Sequence, residues 1–319
     1  MTWSLFLFQE TVYNLHMYDA SIPRLGLCCL LIGKEKTKFR TTKRTWAQKH
    51  PDGIVQHLHT VWRHNIVETC RVINYCIANN IWCYRISSDL FALADLEEYW
   101  DTWKDFKAND ANWSDIRSRV KTYLEIGGRL STHPGQFCVI SNEDASITAR
   151  SILNLEHHAD FFDAMHIPQS YFCPINIHLS NGKKESQAAK TCRKNLKLLT
   201  PSLRSRLVFE TEDKSYWTWQ RLTDNFDDVP ITLDYHHRLI NNLGEPEKEA
   251  HEACVATWSK HGVKPLFHYT EGKTKPLDRS HTDIITALPP YLDVDMEIEA
   301  KGKNDALAHA LLIQGNMIK

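Results

Sequence analysis

The chain has 319 residues and a mass of 37.0 kDa, long enough to bury a core without disulfide staples. Hydrophobic residues make up 42% and charged residues 24%, which excludes a disordered chain. Lys and Arg number 38 against 39 Asp and Glu, which excludes capture of nucleic acid by bulk positive charge but not by a local basic surface.

Residues 1–21 hold the apolar run Leu5, Phe6, Leu7 and Phe8. No Lys or Arg precedes it, and Gln9 and Glu10 end it, so it makes a poor secretory signal. It reads as an N-terminal extension ahead of one domain over 22–319. No stretch of apolar residues is long enough to span a membrane. The nine Cys form no C-x-x-C pair and read as reduced thiols of an intracellular protein. Nothing points to an obligate protein partner, and a monomer is expected.

From residue 24 onward, short β-branched or apolar runs alternate with longer segments of helical pattern. The runs are 24–32, 82–86, 129–133, 174–179, 206–210, 230–235, 265–269 and 293–299. The helical segments are 55–78, 93–106 with 113–125, 145–165, 186–198, 216–226, 248–260, 281–287 and 304–313. Asp144 and Ser215 stand where N-caps are useful. Eight such units predict a (β/α)8 TIM barrel, with an open doubly wound sheet as the alternative. The first turn lacks G-x-G-x-x-G, which counts against dinucleotide binding.

Most runs end in a side chain able to hold a metal. The third ends at His133, the fourth at His178, the fifth at Glu210, the sixth at Asp234 and His237, the seventh at His268 and the eighth at Glu297 and Glu299. His281 follows the seventh. Barrel sites form at the carboxyl ends of strands, so these residues converge on one mouth. Singly, each reads as a solvated or capping residue. Together they would be costly to bury without cations. Imidazole with carboxylate suits zinc, manganese or iron. Of the last pair, Glu299 is the preferred ligand. Three carboxylates facing two or three divalent ions leave a positive pocket suited to phosphate.

Cations crowd the same mouth: Lys34, Lys36, Lys38, Arg40, Lys43 and Arg44, then Lys183 and Lys184, then Lys273, Lys275 and Arg279, then Lys301 and Lys303. They suggest a phosphate-backbone footprint, with Phe39, Trp46 and Phe137 available to stack bases. A non-cleaving DNA-binding protein and a metal-dependent sugar isomerase on the same barrel are the competing readings.

Arg24-Leu25-Gly26, Phe39-Arg40-Thr41-Thr42, Tyr84-Arg85-Ile86-Ser87-Ser88 and His133-Pro134-Gly135-Gln136-Phe137 occur in order. His178-Leu179, Glu210 with Glu212-Asp213, Asp234-Tyr235-His236-His237, His268 and Glu299-Ala300-Lys301-Gly302-Lys303 follow. This set resembles the UV damage endonucleases, relatives of endonuclease IV on the xylose isomerase-like barrel. The resemblance implies a DNA repair enzyme that nicks duplex DNA 5′ to pyrimidine dimers or (6-4) photoproducts. It implies a manganese-type cluster of two or three ions on His133, His178, Glu210, Asp234, His237, His268, His281 and Glu299, with Glu210 bridging. It makes Gln136 a probe of the damaged dinucleotide and Leu27 its neighbour, where the family usually has Tyr. Arg40 and Phe137 join the substrate-binding set, and Lys301 would offset charge in the transition state. Asp95 stands near a family His position, and Leu266 replaces a family Lys, which favours two ions over three.

Overall fold

The computed structural model describes residues 19, 21–179, 185–214, 216–241, 244 and 246–318. The apolar run at 5–8, Lys183, Lys184 and Ser215 lie outside the described residues. Eight strands run through the chain: β1 (Leu25–Cys28), β2 (Cys83–Ile86), β3 (Arg129–Thr132), β4 (Ile175–Ile177), β5 (Leu207–Glu210), β6 (Ile231–Thr232), β7 (Leu266–Tyr269) and β8 (Asp295–Ile298). The helices are α1 (Arg44–Lys49), α2 (Ile54–Ala78), α3 (Trp100–Asn109), α4 (Asn112–Glu125), α5 (Ala145–Ala164), α6 (Glu185–Leu196), α7 (Pro201–Arg204), α8 (Trp219–Asn225), α9 (Tyr235–Ile240), α10 (Glu247–Ser259) and α11 (Lys303–Met317).

All strand pairs are parallel, in the order β6-β5-β4-β3-β2-β1-β8-β7. A parallel bridge between Asp234 and His268 joins the two ends, and the His268 N–H donates to Leu233 O at 3.0 Å. The expected eight-stranded barrel is therefore present, closed by a narrow seam. Nearly every strand residue is buried, as both faces are covered. Helix α2 buries Leu58, Val61, Trp62, Asn65, Ile66, Thr69, Val72 and Ile73, a three-and-four spacing that turns one stripe inward. At the amino ends of the strands, Asp295 accepts from Arg24 Nη1 at 2.9 Å and Arg129 Nη1 at 3.0 Å, a paired ionic floor to the ring. Among the described residues no helix is long and apolar enough to cross a membrane.

Several boundaries move. Segment 281–287 is a loop, not a helix, because the Glu271 carboxylate accepts from the Thr286 and Ala287 amides at 2.8 Å each. The 24–32 run ends as a strand at Cys28, since Cys29 turns into the left-handed region at φ 69°. The 230–235 run keeps two strand residues, and Asp234 becomes the N-cap of α9. Helical segment 93–106 begins only at Trp100, after a turn at 97–99. Asp144 caps α5 as expected, accepting from Ser146 N and Ile147 N.

Candidate metal centre

The carboxyl ends of the strands bring together two overlapping sets of donor atoms. His133, His178 and Glu210 form one; Glu210, Asp234, His268 and Glu299 form the other, with the atoms of each set within 4.8 Å of one another. Glu210, the last residue of β5, belongs to both. Its Oε2 lies 2.9 Å from His133 Nε2 and 3.1 Å from His268 Nδ1, and its Oε1 lies 3.2 Å from His237 Nδ1 and 3.9 Å from His178 Nε2. Asn176 of β4 donates to the same Oε2.

The imidazoles are held by backbone carbonyls, which accept only. His133 Nδ1 meets Pro134 O at 2.9 Å, His237 Nδ1 meets Thr211 O at 3.0 Å and His281 Nδ1 meets Glu299 O at 2.8 Å. Each Nδ1 therefore carries a proton, and in the neutral ring Nε2 is the nitrogen left to bind a cation, the orientation of metal-binding histidines. At His133 the lone pair of that nitrogen faces the Glu210 carboxylate at 2.9 Å. A cation or a proton between them removes the repulsion. Asp234 gives a second sign. Its Oδ1 caps α9 by accepting from His237 N at 2.8 Å, while buried Oδ2 has no hydrogen bond. Such an orphaned carboxylate oxygen beside two further carboxylates fits a divalent cation.

Behind these residues sits a guanidinium. Arg85 of β2, 7% exposed, donates Nε to Glu297 at 2.5 Å, Nη1 to Glu299 at 2.5 Å and Nη2 to His268 Nε2 at 2.8 Å. Ser131 also donates to Glu297. Glu297 and Glu299 both point into the ring, as their spacing of two allows. Glu297 is tied up by Arg85, and Glu299 is the one nearer the mouth. Burial opposes ionisation of Glu210 and Glu299. His268 for the first and Arg85 for the second outweigh it and hold both carboxyls below the usual range. Asp234 moves the other way. Burial, with the charges of Glu299 and Glu210, raises it against the pull of His237.

The remaining sequence candidates are spread around the mouth. Gln136 and Phe137 protrude from the loop after β3, and the Phe137 side chain is 94% exposed. Arg40 and Lys301 are exposed on loops after β1 and β8. Leu27 does not reach the mouth: strand alternation sends Gly26 toward Glu297 and Leu27 into the core, where it is 1% exposed. Asp95 accepts from Asn154 at 2.8 Å, away from the cluster, and Leu266 is buried. Trp46 stacks on His50 and Phe39 packs against the core, which leaves Phe137 as the free ring of the three. Cys138 contacts Asn154, and burial pushes its thiol up to about 12, a packing role. Sequence reading passed over Arg85 and Asn176 as site residues. Both had a signal: a polar residue inside an otherwise apolar strand run.

The family model described as UV-endonuclease UvdE matches residues 23–316. A UV DNA damage endonuclease of Bacillus thuringiensis is 30% identical over 261 residues, covering 78% of this chain and 80% of its own. A UV DNA damage endonuclease of Bacillus velezensis is 30% identical over 270 residues, with the same coverage of 78% and 80%. Among solved structures, SacUVDE aligns with a TM-score of 0.79 at 22% identity, over 93% of this chain and 99% of that one. Endonuclease IV from Thermus thermophilus aligns with a TM-score of 0.58 at 14% identity, over 93% and 99%. These two likenesses establish the shared barrel.

Proposed function

The chain belongs to the UV-endonuclease UvdE family, and from that premise we propose that it nicks duplex DNA on the 5′ side of UV photoproducts, pyrimidine dimers and (6-4) photoproducts, leaving a 3′-hydroxyl. The observation that carries this reading is the convergence of Glu210, Asp234, His268 and Glu299 around shared space at the barrel mouth. Residues 22–319 act as one catalytic domain.

Divalent ions, two of manganese type, would be held by His133, His178, Glu210, Asp234, His237, His268, His281 and Glu299. Bound there, they supply a water that ionises near neutral pH and counter-charge for the phosphoryl oxygens. The protein's own groups prepare that setting. Glu210 reaches both donor sets and so bridges them. The α9 amide fixes Asp234 Oδ1 and leaves Oδ2 to bind. Arg85 keeps Glu299 ionised and anchored. Lys301 offsets charge on the pentacovalent transition state. Gln136 and Phe137 enter the helix at the lesion, where a poorly stacked dinucleotide is easier to displace than normal bases. The exposed loop after β1 that contains Arg40 meets the phosphate backbone.

The test is an end-labelled nicking assay on irradiated and unirradiated duplex with Mn²⁺. Cleavage one phosphodiester 5′ to the lesion is expected from the native protein. Glu210→Gln and His133→Ala should lose at least about a hundredfold in rate with unchanged circular dichroism. Tight binding of irradiated duplex with no nicking would replace this reading with that of a lesion-binding protein.

A further inference from the structure

The loop after β1 is unusual in how its backbone is held. Leu31 N donates to Thr37 Oγ1 at 3.0 Å, and Ile32 N donates to Asn304 Oδ1 of α11 at 2.7 Å. Beyond them the chain is fastened to α2. Lys38 N donates to Glu68 Oε2 at 2.9 Å, and Lys38 O accepts from His64 Nε2 at 2.6 Å. Arg40 N donates to Asn65 Oδ1 and Arg40 O accepts from Asn65 Nδ2, both at 2.8 Å. Asn65 thus pairs with residue 40 as a neighbouring strand would. The same Nδ2 donates to Leu90 O at 2.9 Å, which ties the loop after β2 to the same point. Asn65 is 0% exposed, and its bond to Leu90 O is buried while those to residue 40 are partly so.

The side chains of this strap are in the opposite condition. Lys34, Lys36, Lys38, Arg40 and Lys43 are exposed, and none forms an ion pair among the described residues. Elsewhere at the mouth Arg279 is matched with Asp213 and Lys273 with Asp283, while Lys275, Lys301 and Lys303 form no ion pair among the described residues; the strap is the one that gathers five such cations on a fastened backbone. An ordered backbone carrying unmatched charge is a surface prepared for a polyanion. Ordering done in advance is not charged against binding.

We infer that Asn65 is a positioning residue for DNA: it holds the strap 34–43 in place so that its unmatched cations form a rail for the phosphate backbone of the duplex. This rests on the DNA reading above and adds to it a buried residue that touches no nucleotide. Asn65 acts through the strap and not through the metal centre.

The experiment measures binding of a fluorescein-labelled undamaged duplex by anisotropy across a KCl series. Asn65→Leu fills the volume and leaves Arg40 N, Arg40 O and Leu90 O without their partner. Its Kd at about 100 mM KCl should rise tenfold or more, and its log–log salt slope should shallow by about one to two, since each lost phosphate contact removes about 0.9. In the nicking assay KM should rise while kcat holds, and Mn²⁺ affinity by calorimetry should not change. Asn65→Asp, which keeps the acceptor for Arg40 N, should fall between. Lys36→Gln with Lys38→Gln should lose slope while the strap stays ordered. Hydrogen exchange of the 34–43 peptide in the native protein gives a readout that needs no variant to fold, and slow exchange is expected. Native Kd and slope in Asn65→Leu, or random-coil exchange in the strap, would overturn the inference alone. Failure of the native protein to bind any duplex would overturn it together with the DNA reading.

Discussion

Replacing Arg85 by Met tests what holds the candidate metal centre together in the ion-free protein. The change keeps most of the side chain's length and removes the guanidinium. Three groups lose a partner at once: Glu297, Glu299 and His268 Nε2. Glu297 is buried and its other partners are Ser131, the weak Cys83 thiol at 3.8 Å and His268 Nε2 at 3.2 Å. Taking the guanidinium from such a buried pair costs about 3–5 kcal/mol. Burial opposes ionisation of Glu297, and Arg85, helped by His268 and Ser131, overrides it to hold the carboxyl at about 2. Its native contribution is therefore complete above the unfolded value near 4.5 and is lost only as pH falls through about 2. Without Arg85, the largest of the opposing groups, burial is expected to win over His268 and Ser131 and the sign to reverse. Burial then raises the carboxyl, the folded state binds the extra proton, and stability grows as pH falls. Urea unfolding of metal-free protein at pH 7 and pH 5 reads both effects. The variant should lose about 3–5 kcal/mol at pH 7 and recover part of it at pH 5, and adding Glu297→Met should restore most of the remainder. A loss under about 1 kcal/mol at pH 7, or a second mutation that deepens it, would refute the reasoning.

Other expectations rest on single features. Gly26→Ala places a Cβ 3.0 Å from Cys83 Cβ and 3.1 Å from Glu297 Cγ, so it should cost about 1–3 kcal/mol in unfolding free energy. Burial lowers His158 to about 4, so the unfolded chain takes up this proton first and stability falls as pH drops from about 6.5 toward 4, by about 2 kcal/mol at pH 5. His158→Gln should flatten that part of a thermal-melt pH series, and an unchanged slope would exclude His158 as its source. Chelation should abolish nicking and Mn²⁺ should restore it. At about a hundredfold excess over Kd the ion should also add about 2.7 kcal/mol to unfolding, seen as a higher Tm even where activity is not measured.

Much of the barrel was legible because its strands are short apolar runs whose last residues break pattern. Glu210 and His268 stand out for that reason. The segments just past the strand ends were harder to read. Asp234 and His237 looked like the tail of the sixth run, yet they belong to a helix start, because an Asp that caps its own third amide ends a strand as readily as it extends one. The 281–287 stretch has helical composition, but Glu271, ten or more residues earlier, satisfies its amides, and no local pattern shows that. Leu27 was placed at the DNA surface by its position after Arg24-Leu25-Gly26. One step of strand alternation puts it in the core instead. Arg85 went unassigned because its partners, Glu297 and Glu299, lie more than two hundred residues away.

The seam between β6 and β7 is the narrowest contact in the ring, and its bridge consists of Asp234 and His268. Their side chains also belong to one donor set that could hold an ion. Zipping the cylinder shut would thus also assemble the candidate cation cage. A chain that has not yet taken up its ions should breathe first along this line, with the last two strands parting while the opposite wall stays intact. Loading would then work as a clasp, because the side chains that could hold an ion belong to the residues whose backbone closes the ring.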